Sequence, residues 1–235
     1  MSVNIIVLPL SVISSIVITR FLGPSAFGDF KYLLNLFNLA IVVLNLGFFQ
    51  AANRALVLTQ DPLKAREIYG AALTVLGFLF LIISIALLIY SLLDANVQKK
   101  GLQSILMWTI PFTWIFLLSR YFEVLLQADN KIKLLAKSRL YPKLAFFGAV
   151  LILYLFFFKY AGNRLNLIWI LFLATEMIVF LYIMFKIYPS FRNLKSRISE
   201  ILYFNKTFGF NVYLGSVFST GFSALTGILI SYFGI

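Results

Sequence analysis

The chain has 235 residues, 62% of them apolar and 12% charged, with a mean hydropathy of +0.97 and a net charge of +12. Soluble globular domains are about half apolar and a quarter charged, so this composition excludes one. The absence of Cys and His removes disulfides, thiolate chemistry, imidazole–metal sites and a Ser-His-Asp triad.

A bilayer core about 30 Å thick needs roughly 20 apolar residues per helical crossing. Seven apolar segments satisfy or approach that length: 3–19, 30–57, 70–93, 102–127, 140–158, 167–187 and 208–233. The expected fold is therefore all-α, a polytopic transmembrane bundle of about seven helices. The first segment lacks a basic leader and is followed by Arg20 instead of a small-residue cleavage site, so it reads as a helix and not as a signal peptide. It also holds Pro9 with Ser11, Ser14 and Ser15. A proline there frees a backbone carbonyl and favours a kink, which serves gating or is simply accommodated.

The second segment carries Asn35, Asn38, Asn45 and Asn53 on one arc, ending in Arg54. Asn in a membrane either bonds across helices as glue or lines a cavity. In the fourth, Thr109, Thr113, Arg120, Glu123 and Gln127 fall within about 80° of one another on an ideal helix. Arg120 and Glu123 are spaced for an ion pair on one face. That stripe reads as a cavity wall or as a buried structural pair. Glu176 in the sixth segment sits among Trp169, Phe172 and Phe180, so it is either protonated or meets an Arg from another helix; a coupling role is the sharper possibility. The seventh collects Gly209, Ser216, Ser219, Thr220, Ser223 and Thr226, small residues that mean close packing or a hydrated wall.

Lys and Arg in the connections set the orientation. Twelve fall in loops 2–3, 4–5 and 6–7, among them Lys131, Lys133, Lys137, Arg139 and Lys143. Six fall in the alternate loops, among them Arg20, Lys31 and Arg164. The excess predicts a cytoplasmic N-terminus, and basic loops that touch anionic lipid heads explain the net charge without nucleic acid. Connections of about 20 residues or fewer leave no room for a soluble catalytic domain. A weak echo between Ile16–Phe21 and Ile228–Phe233 suggests a parallel six-helix repeat, with residues 1–203 as one lobe and 204–235 opening a second.

The stretch Arg20-Phe21-Leu22-Gly23-Pro24-Ser25-Ala26-Phe27-Gly28-Asp29-Phe30, followed by Asn45-Leu46-Gly47-Phe48 and Ala51-Ala52-Asn53-Arg54, resembles the polysaccharide transporters of the multidrug/oligosaccharidyl-lipid/polysaccharide exporter superfamily, the O-antigen and capsule-unit flippases. The run from Phe208-Gly209-Phe210 to Ile228-Leu229-Ile230-Ser231 looks like the start of that family's second lobe. The resemblance implies two lobes around a central cavity, in the bacterial inner membrane. It implies outward movement of undecaprenyl-pyrophosphate-linked oligosaccharides by alternating access, usually ion-coupled, with polysaccharide polymerase and chain-length proteins as partners. It implies no enzyme activity, cofactor or metal. Cavity residues expected on this reading are Arg54, Arg120, Glu123, Asn38, Asn45 and Gln127, with Glu176 for coupling and the two arginines facing the pyrophosphate, whose oxygens a guanidinium fork matches. With most of a second lobe missing, the chain is expected to be a fragment, a disrupted frame or a subunit needing a partner.

Three rival readings stand beside it. A cation-coupled drug exporter of the same superfamily tends to hold an acidic residue in the first helix, and none is present here. A membrane glycosyltransferase would want external carboxylates, and the outer loops offer Asp29 and Asp94. An inactive membrane fragment is the third.

Overall fold

A computed structural model describes residues 2–156, 163–221 and 225–226, and among these no strand occurs. Helix α1 (Ser2–Leu22) turns directly into α2 (Pro24–Leu44). Gly23 makes that corner at φ +84°, a region open to glycine, and Pro24 supplies the first residue of α2, where its missing N–H costs nothing. The end of α1 is pinned by a residue distant in sequence: Arg164 donates from Nη1 to the Phe21 carbonyl at 2.9 Å and lies over the buried Phe21 ring. A cation at a helix C-terminus satisfies carbonyls that have no partner within the helix. Thus the Arg-Phe-Leu-Gly-Pro sequence is a tight corner, and Asp29 and Lys31, expected in a loop, lie within α2.

The second segment, expected as one helix, is two. Asn45 accepts the Gly47 N–H on its side-chain oxygen at 2.9 Å, while Leu46 and Gly47 adopt φ of 52° and 82°. Such an Asx turn replaces the helical bonds, and the chain restarts as α3 (Phe48–Val57). Asp61 caps α4 (Pro62–Leu93), with Pro62 at its first position. The fourth segment is likewise interrupted. After the short α5 (Ala95–Lys99), α6 (Leu102–Thr109) gives way to a 3₁₀ turn at Ile110–Phe112 around Pro111, then to α7 (Thr113–Ala128). Next come α8 (Ile132–Phe156), beginning eight residues before the expected 140, and α9 (Arg164–Ile187). Then α10 (Leu194–Phe204) continues through a π-helical turn, α11 (Phe210–Ser216) and a second π turn at Val217–Gly221. The C-terminal echo at 228–233 and Ser223 lie outside the described residues.

Among the described residues, five stretches are long and apolar enough to cross a membrane: Pro24–Leu44, Pro62–Leu93, Leu102–Ala128, Ile132–Phe156 and Arg164–Ile187. Val7–Leu22 is a shorter apolar helix beside them. Lipid tails are as apolar as Leu, so such a bundle is held by close packing and interhelical hydrogen bonds instead of a drive out of water. Trp169 on α9 is the clearest example. Fully buried, it packs among Phe30, Phe37, Phe116 and Phe172, and its indole N–H donates to the Thr109 hydroxyl at 2.8 Å. At one end, Tyr69 donates to Asp129, Tyr121 donates to the Tyr69 carbonyl, and Asn53 of α3 reaches the Val124 carbonyl of α7.

A charged clamp holds α10 to the start of α4. Arg197 meets Glu67 and Glu200, Lys64 meets Glu200, and Asn193 donates to Glu67, all at 2.8–2.9 Å. Burial alone would raise the Glu200 carboxyl, but the Lys64 and Arg197 cations overcome this and hold it below its ordinary value. A carboxylate held down in the fold stabilises above its unfolded value of about 4.3 and loses that contribution as acid protonates it. The protection factors of amides across 194–204, which divide out the intrinsic pH dependence of exchange, are therefore expected to be flat from neutral pH to about 5 and to fall steeply below about 4. Protection that persists well below that pH would show that the clamp does not hold this helix.

Candidate functional site

The helices enclose a part-open cavity of ≈ 650 Å³ with walls from α1, α2, α7, α8 and α9. Its α1 wall is small and hydroxylated: Ser11 and Ser14 donate back to the Val7 and Leu10 carbonyls of their own helix, and Ser15 lies beside them. Its α2 wall carries Lys31, Asn35 and Asn38 one to two turns apart. Most of the remaining lining is apolar, with aliphatic side chains such as Leu34 and Ile41 beside the rings of Phe30, Phe146, Phe172 and Phe180.

The charged part of the lining is arranged around two acids. Glu123 on α7 is shared: Arg120, one turn earlier, donates from Nη1 to Oε2 at 2.8 Å, and Arg139 of α8 donates from Nη2 to Oε1 at 2.7 Å. All three side chains are 35–40% exposed, so water or a ligand reaches the group. A guanidinium has five N–H donors, and each of these gives one to Glu123, which leaves capacity for an oxyanion. The second acid, Glu176 of α9, interacts electrostatically with Lys143 of α8, whose ammonium lies 3.4 Å from the Ser11 hydroxyl. Lys31, Arg120 and Lys143 against Glu123 and Glu176 leave the lining net positive. Among the described residues no three acidic side chains group so as to hold a metal ion.

Of the residues expected at the site, Asn38, Arg120, Glu123 and Glu176 meet in this cavity. The other three stand elsewhere. Asn45 is buried in the turn between α2 and α3, bonded to Gly47 and the Val42 carbonyl. Arg54 on α3 is exposed with its guanidinium over the Phe208 ring at 5.4 Å, and Gln127 is exposed on α7, outside the cavity lining. The polar stripe splits for the same reason as the helix: Thr109 and Thr113 flank the Pro111 turn and are fully buried, whereas Arg120 and Glu123 follow it on α7. Three cations of the site were assigned to loops by sequence. Lys31 lies in α2, and Arg139 and Lys143 lie in α8, one turn apart on one face. The signal that marks Arg139 and Lys143 is this i, i+4 spacing beside Pro142, within a stretch read as connection because it is basic.

A bundle of membrane-length helices around a polar, cation-rich hollow defines a multi-pass membrane protein of the transporter class. Residues 1–233 match the family described as Polysaccharide biosynthesis protein, and the chain belongs to that family, which holds the O-antigen flippases of the exporter superfamily named above. No curated protein and no solved structure matches the chain. Family membership gives the chain a flippase role in polysaccharide synthesis, in a family of transporters and not of known catalysts.

Proposed function

We propose that the chain supplies the binding lobe of a flippase that carries undecaprenyl-pyrophosphate-linked oligosaccharide units outward across the bacterial inner membrane, for O-antigen, capsule or exopolysaccharide. The supporting observation is the net positive, hydroxyl-lined cavity within membrane-length helices. Charges in hydrocarbon are costly, about 2.5–3.5 kcal/mol each on insertion scales, and they persist where a hydrated space or a ligand meets them. On this reading Arg120, with Arg139 behind it, and Lys143 with Lys31 hold the pyrophosphate. Asn38 and the serines bond the sugar hydroxyls, and Glu176 beside Lys143 exchanges the coupling proton. The N-terminus faces the cytoplasm, residues 204–235 open a second lobe, and the polymerase and chain-length proteins receive the product. Arg54, stacked on Phe208, belongs to the joint between α3 and the last helix on this reading, not to the ligand.

The test is binding by the purified chain in lipid nanodiscs, with undecaprenyl-pyrophosphate-linked N-acetylglucosamine as probe. Arg120→Ala and Lys143→Ala are each expected to weaken binding about tenfold or more, the scale of one charge-assisted contact of about 1.5–3 kcal/mol. Arg54→Ala is expected to leave it unchanged. Parental affinity in both cavity variants removes the reading.

A further inference from the structure

Outside the cavity, α8 and α9 present the same order of side chains from the same end of the bundle. On α8, which starts at Ile132, Lys137 is followed one turn deeper by Tyr141 and then by Leu144. On α9, which ends at Ile187, Lys186 is preceded one turn deeper by Tyr182 and then by Ile178. On an ideal helix each trio falls within about 80° of one face. The two stripes adjoin. The Lys137 ammonium donates to the Tyr182 hydroxyl at 3.4 Å, and it lies 5.7 Å from that ring and 5.9 Å from the Tyr141 ring. Lys186 approaches the Tyr182 ring at 5.9 Å. Tyr141, Leu144, Ile178 and Tyr182 are all exposed, and Gly148, one turn beyond Leu144, faces open space. Neither lysine has an ion-pair partner among the described residues.

We infer that these paired stripes seat one anionic phospholipid of the bilayer, its phosphodiester between Lys137 and Lys186 and its acyl chains on Leu144 and Ile178. A diacyl phospholipid runs from an anionic phosphate through ester carbonyls to hydrocarbon, and each helix offers a cation, a phenol and an aliphatic group in that order. Lysines and tyrosines gather at membrane interfaces in general, the lysines with their charge lifted toward water. What is particular here is that cations from two helices lie within 6 Å of one ring with no acid to neutralise them. Lys137 gives one of its three N–H donors to Tyr182, so it keeps two for a phosphate, and Lys186 keeps all of its own. None of these side chains lines the cavity, so the seat is separate from the site of the transported ligand. A shared head group ties α8 to α9, the two helices that carry Lys143 and Glu176.

A local reporter tests the seat. The chain has no native cysteine, so Phe185→Cys, an exposed position beside Lys186, carries a single bimane fluorophore. The full chain is held in phosphatidylcholine nanodiscs containing either phosphatidylglycerol or phosphatidylcholine brominated on its acyl chains, at equal mole fraction. The relative association constant read from quenching is expected to favour phosphatidylglycerol by roughly tenfold or more. Lys137→Ala and Lys186→Ala are each expected to lower that preference about fivefold, and together to abolish it. Lys137→Arg with Lys186→Arg is expected to keep it, which separates charge from folding, and Lys195→Ala on α10 is expected to leave it unchanged. Equal quenching by the two lipids in the parent overturns the seat, as does a preference that survives loss of both lysines. A fall as large with Lys195→Ala reduces the effect to surface charge and overturns it too. Displacement of phosphatidylglycerol by undecaprenyl-pyrophosphate-N-acetylglucosamine assigns the seat to the transported lipid and overturns the phospholipid as its occupant.

Discussion

Replacing Gly70 with alanine is expected to destabilise the chain by about 3 kcal/mol or more, enough to lose most folded protein on extraction. Helix propensity alone argues the other way, since alanine in place of a mid-helix glycine gains up to about 1 kcal/mol. Sterics decides the sign. The turn after α9 is laid on α4 at this point: Ser190 donates its N–H to the Arg66 carbonyl at 2.9 Å, and a methyl on Gly70 would overlap the Ser190 carbonyl. Because the obstacle is backbone, trimming the Ser190 side chain gives no relief. Gly77, two turns on in the same helix, faces nothing within 4 Å, and Gly77→Ala is expected to be neutral or stabilising. Thermal unfolding in detergent reads both, and a Gly70→Ala protein as stable as its parent would disprove the close approach.

The second large effect is expected at Glu123. Removing it by Glu123→Ala leaves Arg120 and Arg139 adjacent with no anion between them. Breaking a fully buried ion pair costs 3–5 kcal/mol, and partial exposure of this one reduces the expected loss to about 1–2 kcal/mol. The more telling measurement is rescue. Inorganic pyrophosphate is expected to raise the melting temperature of the variant more than that of the parent, since the two guanidiniums then have an anion to share. Equal shifts in both proteins would mean that the pair does not act as an oxyanion seat. Glu123→Gln keeps an acceptor without the charge and is expected to fall between the two.

The membrane bundle was legible because hydropathy depends on composition, and breaks of one to three residues scarcely alter a window of about twenty. Those breaks were harder to see. Asn45-Leu46-Gly47 was visible as a motif, and a 28-residue apolar segment is long for one crossing, yet only the side-chain bond from Gly47 to Asn45 turns the motif into a corner. Pro111 hid in the same way. Periodicity assumes an unbroken helix, so a stripe drawn from Thr109 to Gln127 crossed a 3₁₀ turn and mixed core hydroxyls with cavity charges. The cavity was half legible. Arg120, Glu123, Asn38 and Glu176 stood out as charged or amide groups within apolar runs. Lys31, Arg139 and Lys143 did not, because a cation near the end of a segment has two explanations, topology and ligand. Sequence spacing alone favours the commoner one.

The length of α4 has a consequence for how the last helices are held. Thirty-two residues rise about 48 Å, against roughly 30 Å of hydrocarbon, so an upright α4 would carry its surplus turns into the phospholipid head groups. Lys64 and Glu67 lie on those first turns, and their partners Arg197 and Glu200 lie with them. An anionic leaflet competes for the same two cations that grip Glu67 and Glu200. The grip on α10 is therefore a property shared between protein and bilayer: rich in phosphatidylglycerol, the leaflet draws Lys64 and Arg197 toward itself, and in a neutral one the four side chains keep to each other.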